Sequence, residues 1–273
     1  MKSKLKLNMN FDKLKINYSP FPYIEISDFI SKNYSSKLRN EILSYDGFDD
    51  KVMVNRKRIN KGSKNFEKII SNSDNINQIY EYLNDIETFK KLYSLFDLKK
   101  SQWIITENLN NFSKKNFGKQ SNSYYEKIIK FFAEKKILKT KINLDIDFSV
   151  SGKGYYRGPH RDRETRILNF LLYLNDFDKE DGGDLKIFKY NKDQYSDQVN
   201  YPRFPNNELV TETYSAFPKE GKLVVFLSTP NSYHAAGKFL SENKKRIFIY
   251  GSYSLNKKVI WIKKWLNQKI TFV

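Results

Sequence analysis

The chain has 273 residues, which fits one large domain or two small ones. It contains no cysteine and only two histidines, which excludes disulfide scaffolds, cysteine-ligated zinc or iron–sulfur sites and cysteine nucleophiles. Its formal net charge is +18. Lysine, asparagine, isoleucine, tyrosine and phenylalanine are frequent throughout, so we interpret this charge as a bias in composition. The alternative is that the charge binds a nucleic acid or an anionic membrane.

The N-terminal half is predicted to be rich in helices. Alternating apolar residues indicate an opening strand over residues 5–11, and a second strand follows over Tyr23–Ile26. Ser35 and the serine after it are predicted to cap a helix. Apolar residues recur every three or four positions over residues 75–95 and 123–138, which predicts two further helices. No stretch resembles a membrane span or a secretory signal, so we expect a cytoplasmic location.

The pattern changes to β in the C-terminal half. Residues 142–150 alternate between apolar and polar side chains. Five short strand-like runs follow, at residues 166–175, 185–190, 222–227, 246–254 and 259–261. Short strands preceded by helices predict a mainly β fold with flanking helices, an α+β protein built on a sandwich, barrel or jelly roll. No linker separates two units, so we predict one domain over residues 1–273, with 1–138 as helix-rich support and 139–273 as the strand-rich core.

Both histidines lie in this core, in contexts that suit metal binding. His160 and Asp162 are two residues apart, so on extended backbone their side chains share one face. His234 comes shortly after the apolar run that ends at Leu227. Two histidines and one carboxylate, with the other coordination positions open, form the facial triad of non-haem Fe(II) oxygenases. Because His-x-Asp is common, a surface or hydrogen-bonded histidine is the alternative for each.

A cation follows the second histidine on the next predicted strand. Arg246 opens an apolar strand, and a guanidinium at this position can hold a carboxylate with two parallel hydrogen bonds. A solvated strand end is the alternative.

Two further segments make the sequence similar to a known family. The run Arg166–Asn175, followed by Gly182-Gly183-Asp184-Leu185, resembles the core of the prolyl 4-hydroxylase-like 2-oxoglutarate- and Fe(II)-dependent dioxygenases. That family places His-x-Asp before an Arg-led strand ending in Tyr-Leu-Asn, then Gly-Gly-x-Leu, then the distal histidine and a basic residue. The segment Pro20–Ile30 is similar to the N-terminal strand–turn–helix of the same family. The resemblance implies a double-stranded β-helix, or jelly roll, as the catalytic core.

The resemblance also implies roles for individual residues. By position, His160, Asp162 and His234 are the expected iron ligands. Arg246 is expected to pair with the distal carboxylate of 2-oxoglutarate, and Tyr173 to donate its hydroxyl to the same carboxylate. A core aromatic is the alternative interpretation of Tyr173.

Three local features leave alternatives open. The spacing from the distal histidine to the basic residue is longer than is usual in the family, which leaves Lys244 or Lys245 as less favoured substitutes for Arg246. The Gly182-Gly183 pair is expected to serve a tight turn. The acidic residues around Asp181 suggest a polar turn more than a second metal site.

The resemblance implies Fe(II), 2-oxoglutarate as cosubstrate and dioxygen, with ascorbate as an additional cofactor, and hydroxylation of an unactivated C–H bond. A prolyl residue in a peptide or protein is the first expected substrate, and a small molecule the next. The alternatives are an oxygenase directed at nucleic acid, motivated by the net charge and the aromatic residues, and a non-catalytic jelly-roll binding protein. Residues 107–122, 155–157 and 191–207 are the candidate substrate-contacting segments.

Overall fold

The structure is a computed structural model that describes residues 14–53, 55–117, 139–192 and 201–264. Within these residues, none of the helices is long and apolar enough to cross a membrane. The α-helices all lie in the N-terminal part of the chain: α1 (Lys32–Leu43), α2 (Lys64–Asn72), α3 (Asp74–Leu83) and α4 (Ile86–Ser94).

Strands dominate the rest of the described chain. Most are short, but β6 and β13 have 10 residues each. In chain order the strands are β1 (Ile16–Asn17), β2 (Tyr23–Ile26), β3 (Asp49–Met53), β4 (Arg56–Asn60), β5 (Trp103–Ile105), β6 (Ile142–Ser151), β7 (Arg157–His160), β8 (Arg166–Tyr173), β9 (Leu185–Tyr190), β10 (Val210–Ala216), β11 (Leu223–Leu227), β12 (Tyr233–Ala236), β13 (Arg246–Leu255) and β14 (Trp261–Lys263).

These strands form two main antiparallel sheets and one small ribbon. The large sheet has eight strands in the order β1-β2-β11-β8-β13-β6-β4-β3, and the small sheet has four in the order β10-β9-β12-β7. The ribbon pairs β14 with β5. Non-consecutive neighbours in both main sheets mean that the chain crosses repeatedly between the layers. The mainly β architecture with flanking helices agrees with the sequence prediction.

The large sheet is apolar on both faces because each face covers a different layer. On β8, Phe170 and Leu172 belong to the cluster that includes the helices, whereas Leu171 and Tyr173 belong to the cluster that includes Ile187 of the small sheet. Side chains on a strand alternate between faces, so consecutive apolar residues serve both layers. The inner layer between the two sheets is where the candidate functional residues lie.

The predicted helix over residues 75–95 is two helices. α3 ends at Leu83 and α4 begins at Ile86, with Asn84 and Asp85 between them. Asp85 has extended backbone dihedrals, φ −94° and ψ 137°, which interrupt the helix. Asn and Asp compete for local hydrogen bonds and favour helix ends over helix interiors, so the apolar stripe continues across a break in the backbone.

Two other predicted boundaries were wrong. α1 is capped by Ser31, whose side chain accepts the Tyr34 N–H, while Ser35 lies buried inside the helix. The last strand begins at Trp261 and not at Val259, because Val259 is buried in the core before the strand pairs with β5.

Some predictions stay untested. The strand over residues 5–11 and the helix over residues 123–138 lie outside the described residues. β1 to β4 join the same sheet as β6, β8, β11 and β13, so strands from both halves of the chain build it. The single domain over residues 1–273, with a division near residue 138, stays a prediction.

Candidate metal centre and carboxylate cradle

The strand register brings His160, Asp162 and His234 together. His160 ends β7 and lies directly opposite His234 of β12, so the two rings project from the same face with their centroids 4.4 Å apart. Asp162 follows β7 by two residues, and its Oδ2 lies 3.5 Å from Nε2 of His234. One potential ligand atom from each residue lies within 4.8 Å of the other two, and all three side chains are buried.

Both histidines are oriented by main-chain carbonyls. Nδ1 of His160 donates to the oxygen of Gly158 at 2.9 Å, and Nδ1 of His234 donates to the oxygen of Ser232 at 3.0 Å. Since a carbonyl oxygen can only accept, these contacts fix the proton on Nδ1 and leave Nε2 with its lone pair. Burial lowers the pKa of both rings, so they are neutral near pH 7, as metal ligation requires.

The carboxylate of Asp162 is held from two sides. Its Oδ1 pairs with Arg166 at 2.8 Å, and its Oδ2 accepts a hydrogen bond from the Tyr250 hydroxyl at 2.9 Å. Burial alone would raise the pKa of Asp162, but Arg166 and the histidines more than offset it, so the pKa lies well below its ordinary value. Asp162 is therefore ionised and its orientation is fixed.

A second polar group lies in the same inner layer. Arg246 begins β13 and is 1% exposed, and its Nε donates to the oxygen of Gly183 at 2.7 Å. Its two terminal nitrogens and the hydroxyl of Tyr173 are buried without a hydrogen-bond partner. Burial raises the pKa of Tyr173 to about 12, against the lowering effect of Arg246, so the phenol keeps its proton. We call the Arg246 guanidinium and the Tyr173 hydroxyl the carboxylate cradle.

The cradle presents only hydrogen-bond donors to a buried space. Buried polar groups are normally paired, because leaving one unpaired costs about 1–3 kcal/mol. Two guanidinium nitrogens in one fork match the two oxygens of a carboxylate. The chemistry of the cradle therefore fits a buried anion with the geometry of a carboxylate.

β13 links the cradle to the candidate metal centre. Arg246, Phe248 and Tyr250 are alternate residues of one strand, so they share a face, and Tyr250 reaches Asp162. At the rise of a β-strand, Cα of Arg246 and Cα of Tyr250 are about 13 Å apart. The strand thus carries an anion-binding group at its start and, four residues further along, a group that holds Asp162.

The structure distinguishes Arg246 from its neighbours. Lys244 pairs with Asp181 at 2.5 Å on the surface, and Lys245 is exposed. Gly183 has φ +75°, and a Cβ there would lie 3.0 Å from Cδ of Arg246, so glycine allows the arginine to approach its carbonyl. Asp181 therefore belongs to a polar turn, and Arg246 alone among the three cations is buried beside Tyr173, where it forms the cradle.

Sequence reasoning assigned no role to Arg166, Tyr250 or Phe204. The ring of Phe204 stacks beside His160, with centroids 6.3 Å apart. Tyr250 had a readable signal, because it lies four residues after Arg246 on the same strand face. Arg166 begins β8 and Phe204 lies in a loop, and the strand and helix periodicities of the sequence predict neither contact with the site.

Comparison with known proteins relates the strand-rich core to a family. Residues 146–253 match the family model described as the 2OG-Fe(II) oxygenase superfamily. This segment, which contains all three candidate metal ligands, is therefore similar to the 2OG-Fe(II) oxygenases. The family resemblance predicted from the sequence and the enzyme class, a 2-oxoglutarate- and Fe(II)-dependent dioxygenase, are thereby confirmed. Comparison with curated proteins gives no match.

Solved structures similar to this dioxygenase include prolyl hydroxylases. A prolyl 4-hydroxylase from Phytophthora capsici is 14% identical, with a TM-score of 0.50, over 85% of this chain and 58% of that chain. A Pseudomonas putida prolyl-4-hydroxylase is 15% identical, with a TM-score of 0.43, over 85% of this chain and 91% of that chain. HygX from Streptomyces hygroscopicus, with nickel and 2-oxoglutarate bound, is 12% identical, with a TM-score of 0.43, over 85% of this chain and 82% of that chain. The likeness to the Phytophthora capsici enzyme shows the fold, and the predicted jelly roll is confirmed.

The donor groups suit the metal and cosubstrate of this superfamily. Two neutral imidazoles and one carboxylate are the ligand types that Fe(II) takes in a facial triad. The unpaired donors of the cradle suit one carboxylate of a dicarboxylic acid such as 2-oxoglutarate.

Proposed function

We propose that this dioxygenase is a hydroxylase that uses Fe(II), 2-oxoglutarate and dioxygen to oxidise an unactivated C–H bond. The observation that carries the proposal is the carboxylate cradle. Its buried donors lack partners in the described fold, and β13 aligns it with the group that holds Asp162. A protein without turnover has no physical need for buried unpaired cationic donors in this position.

In this proposal His160, Asp162 and His234 hold the iron. When bound, Fe(II) supplies the redox chemistry that couples decarboxylation of 2-oxoglutarate to oxidation of the substrate. The carbonyls of Gly158 and Ser232 keep Nε2 of each histidine free for the metal. Arg166 and Tyr250 keep the carboxylate of Asp162 ionised and oriented. Arg246 and Tyr173 hold the distal carboxylate of 2-oxoglutarate and orient the cosubstrate.

We propose a prolyl residue in a peptide or protein as the substrate, with ascorbate as the reductant that keeps the iron ferrous. The support is the resemblance of the core motifs to prolyl 4-hydroxylases and the likeness in fold to the enzyme from Phytophthora capsici. A small-molecule substrate is the second choice.

The ligand assignment is tested by anaerobic titration with Fe(II) and 2-oxoglutarate, which should produce a weak visible charge-transfer band. His160→Ala and Asp162→Asn should abolish the band. Asp178→Asn is the matched control, because Asp178 is exposed and should leave the band unchanged. A band that persists in Asp162→Asn would contradict the assignment.

Turnover is tested by succinate release. The wild-type protein should release succinate from 2-oxoglutarate with prolyl peptides and lose this activity on removal of iron. If succinate is not released with peptides, free amino acids, sugars or nucleic acids, the protein is a non-catalytic binding protein.

A further inference from the structure

Three arginines that are fully or partly exposed lie near the candidate metal centre. Arg157 begins β7, Arg163 directly follows Asp162, and Arg203 lies beside Phe204, whose ring stacks on His160. We call Arg157, Arg163 and Arg203 the arginine rim. Arg163 and Arg203 are exposed, and Arg157 is partly exposed. Arg203 covers the ring of Phe204, with its guanidinium carbon 5.1 Å from the ring centroid.

Arginine is the scarce cation of this chain. Only nine of the 49 basic residues are arginine, yet four of the nine lie within residues 157–166 and a fifth is Arg203. A compositional bias that favours lysine does not explain this concentration. It coincides with the segment that supplies His160 and Asp162.

The fold uses two of these arginines and leaves the rim unpaired. Arg166 pairs with Asp162, and Arg161 pairs with Glu164 at 3.5 Å. Within the described parts of the chain, none of the three rim guanidiniums forms an ion pair with a carboxylate. Although Arg203 is exposed, loss of some of its hydration lowers the pKa of its guanidinium, and repulsion from Arg163 lowers it further. The rim therefore concentrates like charge at a cost that a bound anion would offset.

Phe204 adds an exposed apolar side chain next to the arginine rim. Its side chain is 63% exposed, the largest value among the exposed large hydrophobic residues of the described chain. Among the described residues Arg203 lies over this ring and His160 stacks beside it, yet most of the side chain stays open to solvent. A target residue that enters the site would pack on this ring.

A second basic site lies a short distance along the same segment. It is a cavity of about 220 Å³ whose described lining contains no carboxylate. Tyr201 lines this cavity, and its carbonyl oxygen accepts the Nε hydrogen of Arg161 at 2.7 Å. From Tyr201 to Phe204 the main chain spans at most about 11 Å. Four lysines line this cavity, which we call the lysine pocket: Lys100, Lys189, Lys192 and Lys263.

From this arrangement we infer that the substrate is an acidic peptide. Its target residue enters beside Phe204, carboxylates on either side of it bind the arginine rim, and a further acidic residue reaches the lysine pocket. The inference rests on the proposed hydroxylase function and names the class of its substrate.

The arrangement of charge favours a peptide over a nucleic acid. A phosphodiester chain carries a negative charge at every nucleotide and needs a continuous basic track. Here the two basic sites are separated by Tyr201 and Pro202, which carry no charge, and the exposed carboxylate of Glu164 lies beside Arg161. Discrete carboxylates at separate positions match this pattern, and each can bind a guanidinium through two hydrogen bonds.

Binding is measured first, because it does not depend on turnover. Fluorescence anisotropy compares a labelled peptide with a central proline flanked by aspartate and glutamate, its asparagine and glutamine counterpart, and a single-stranded oligothymidylate. The acidic peptide should bind at least about tenfold more tightly than the amide peptide, and added salt should reduce the difference. Equal affinity for the two peptides would overturn the inference, as would tighter binding of the oligothymidylate.

Variants then locate the binding. Arg163→Gln and Arg203→Gln should each weaken binding of the acidic peptide by about threefold, and the double variant by about tenfold. Lys189→Gln tests the lysine pocket and should weaken binding by a similar factor. Lys37→Gln, on the exposed face of α1, removes the same charge and should leave affinity unchanged. Equal losses in Lys37→Gln and the rim variants would mean non-specific attraction and overturn the inference.

Turnover separates this inference from the proposed function. In the rim variants KM for the acidic peptide should rise, while kcat and the charge-transfer band should stay at wild-type values. Peptide hydroxylation without preference for acidic residues would leave the proposed function intact and overturn the inference. If no substrate releases succinate, the proposed function fails, and the anisotropy result still decides whether the rim binds acidic peptides.

Discussion

Two buried arginines contact the same rings but differ in their partners. Arg56 and Arg246 both lie over Tyr155 and Phe248, with guanidinium-to-ring distances of 5.9 and 5.2 Å for Arg56 and 5.9 and 4.1 Å for Arg246. Arg56 forms an ion pair with Asp147 at 2.7 Å, whereas the terminal nitrogens of Arg246 have no hydrogen-bond partner. Replacing each arginine with methionine, which has a similar length and no charge, should therefore have different effects on the stability of the ligand-free protein.

The expected magnitudes follow from what each substitution leaves behind. Arg56→Met leaves Asp147 buried without its main partner and should lower the free energy of unfolding by about 3–5 kcal/mol. Arg58, at 3.9 Å, can replace the lost partner only in part. Arg246→Met removes two unpaired nitrogens, each of which costs about 1–3 kcal/mol. It also loses one hydrogen bond and its cation–π contacts, of which the closest, to Phe248, is worth about 1–2 kcal/mol. These effects oppose each other, so Arg246→Met should stay within about 2 kcal/mol of wild type.

Denaturant unfolding of the metal-free protein measures both changes. In wild type with metal bound, 2-oxoglutarate at a hundred times its Kd should add about 2.7 kcal/mol to the free energy of unfolding. Arg246→Met should abolish this increment, because the cradle loses its charge. If Arg246→Met destabilises the metal-free protein as much as Arg56→Met does, or retains the increment, the cradle is not the 2-oxoglutarate site.

Three further predictions concern the groups around the metal centre and the cradle. Tyr250→Phe removes a hydrogen bond to Asp162 and should weaken Co(II) binding by about 10- to 100-fold in a spectroscopic titration, without loss of helical circular dichroism. Gly183→Ala places a Cβ where φ is +75° and should lower the free energy of unfolding by about 1–2 kcal/mol. Because this Cβ would push against Arg246, calorimetry should also show weaker binding of 2-oxoglutarate. An unchanged Kd would contradict the argument that glycine is needed for Arg246 to approach the Gly183 carbonyl. Burial lowers the pKa of His160 and His234, so below about pH 6.5 the unfolded chain binds protons that the folded chain does not. The free energy of unfolding of the metal-free protein should therefore fall as the pH falls from 7 to 5, by up to about 1.4 kcal/mol per pH unit for each histidine. His160→Gln should reduce this slope.

Periodicity predicted most of the fold, because strands and helices of this chain have clear apolar patterns. The alternation over residues 142–150 became β6, and the run from Arg246 became β13, the longest strands of the described chain. Periodicity failed at Asn84, where the apolar stripe crosses a break between helices. An apolar stripe reports which face is buried, and it does not report whether the backbone is continuous.

Local spacing could predict only part of the site. His160 and Asp162 are neighbours in sequence, so a shared face was readable. The approach of His234 depends on its pairing with His160 across two strands. The sequence suggested His234 because it is the second of two histidines, and the family resemblance supported that assignment. The contact between Tyr250 and Asp162 depends on how a loop packs on β13, a long-range interaction that no periodicity encodes.

The net charge of the chain says nothing about where individual charged side chains lie in the fold. The value of +18 is a sum over the chain, and its interpretation as compositional bias stays a prediction that suits the scattered lysines. In the structure the charge of Arg166 is neutralised by Asp162 and orients this residue of the candidate metal centre, whereas Arg163, three residues earlier, has no such pairing among the described residues and faces solvent. The sequence treats these two arginines alike. A guanidinium that lies beside a carboxylate stabilises the fold, whereas one without such a neighbour is available to a substrate. Local ion pairing is therefore a better guide to this enzyme's partner than net charge.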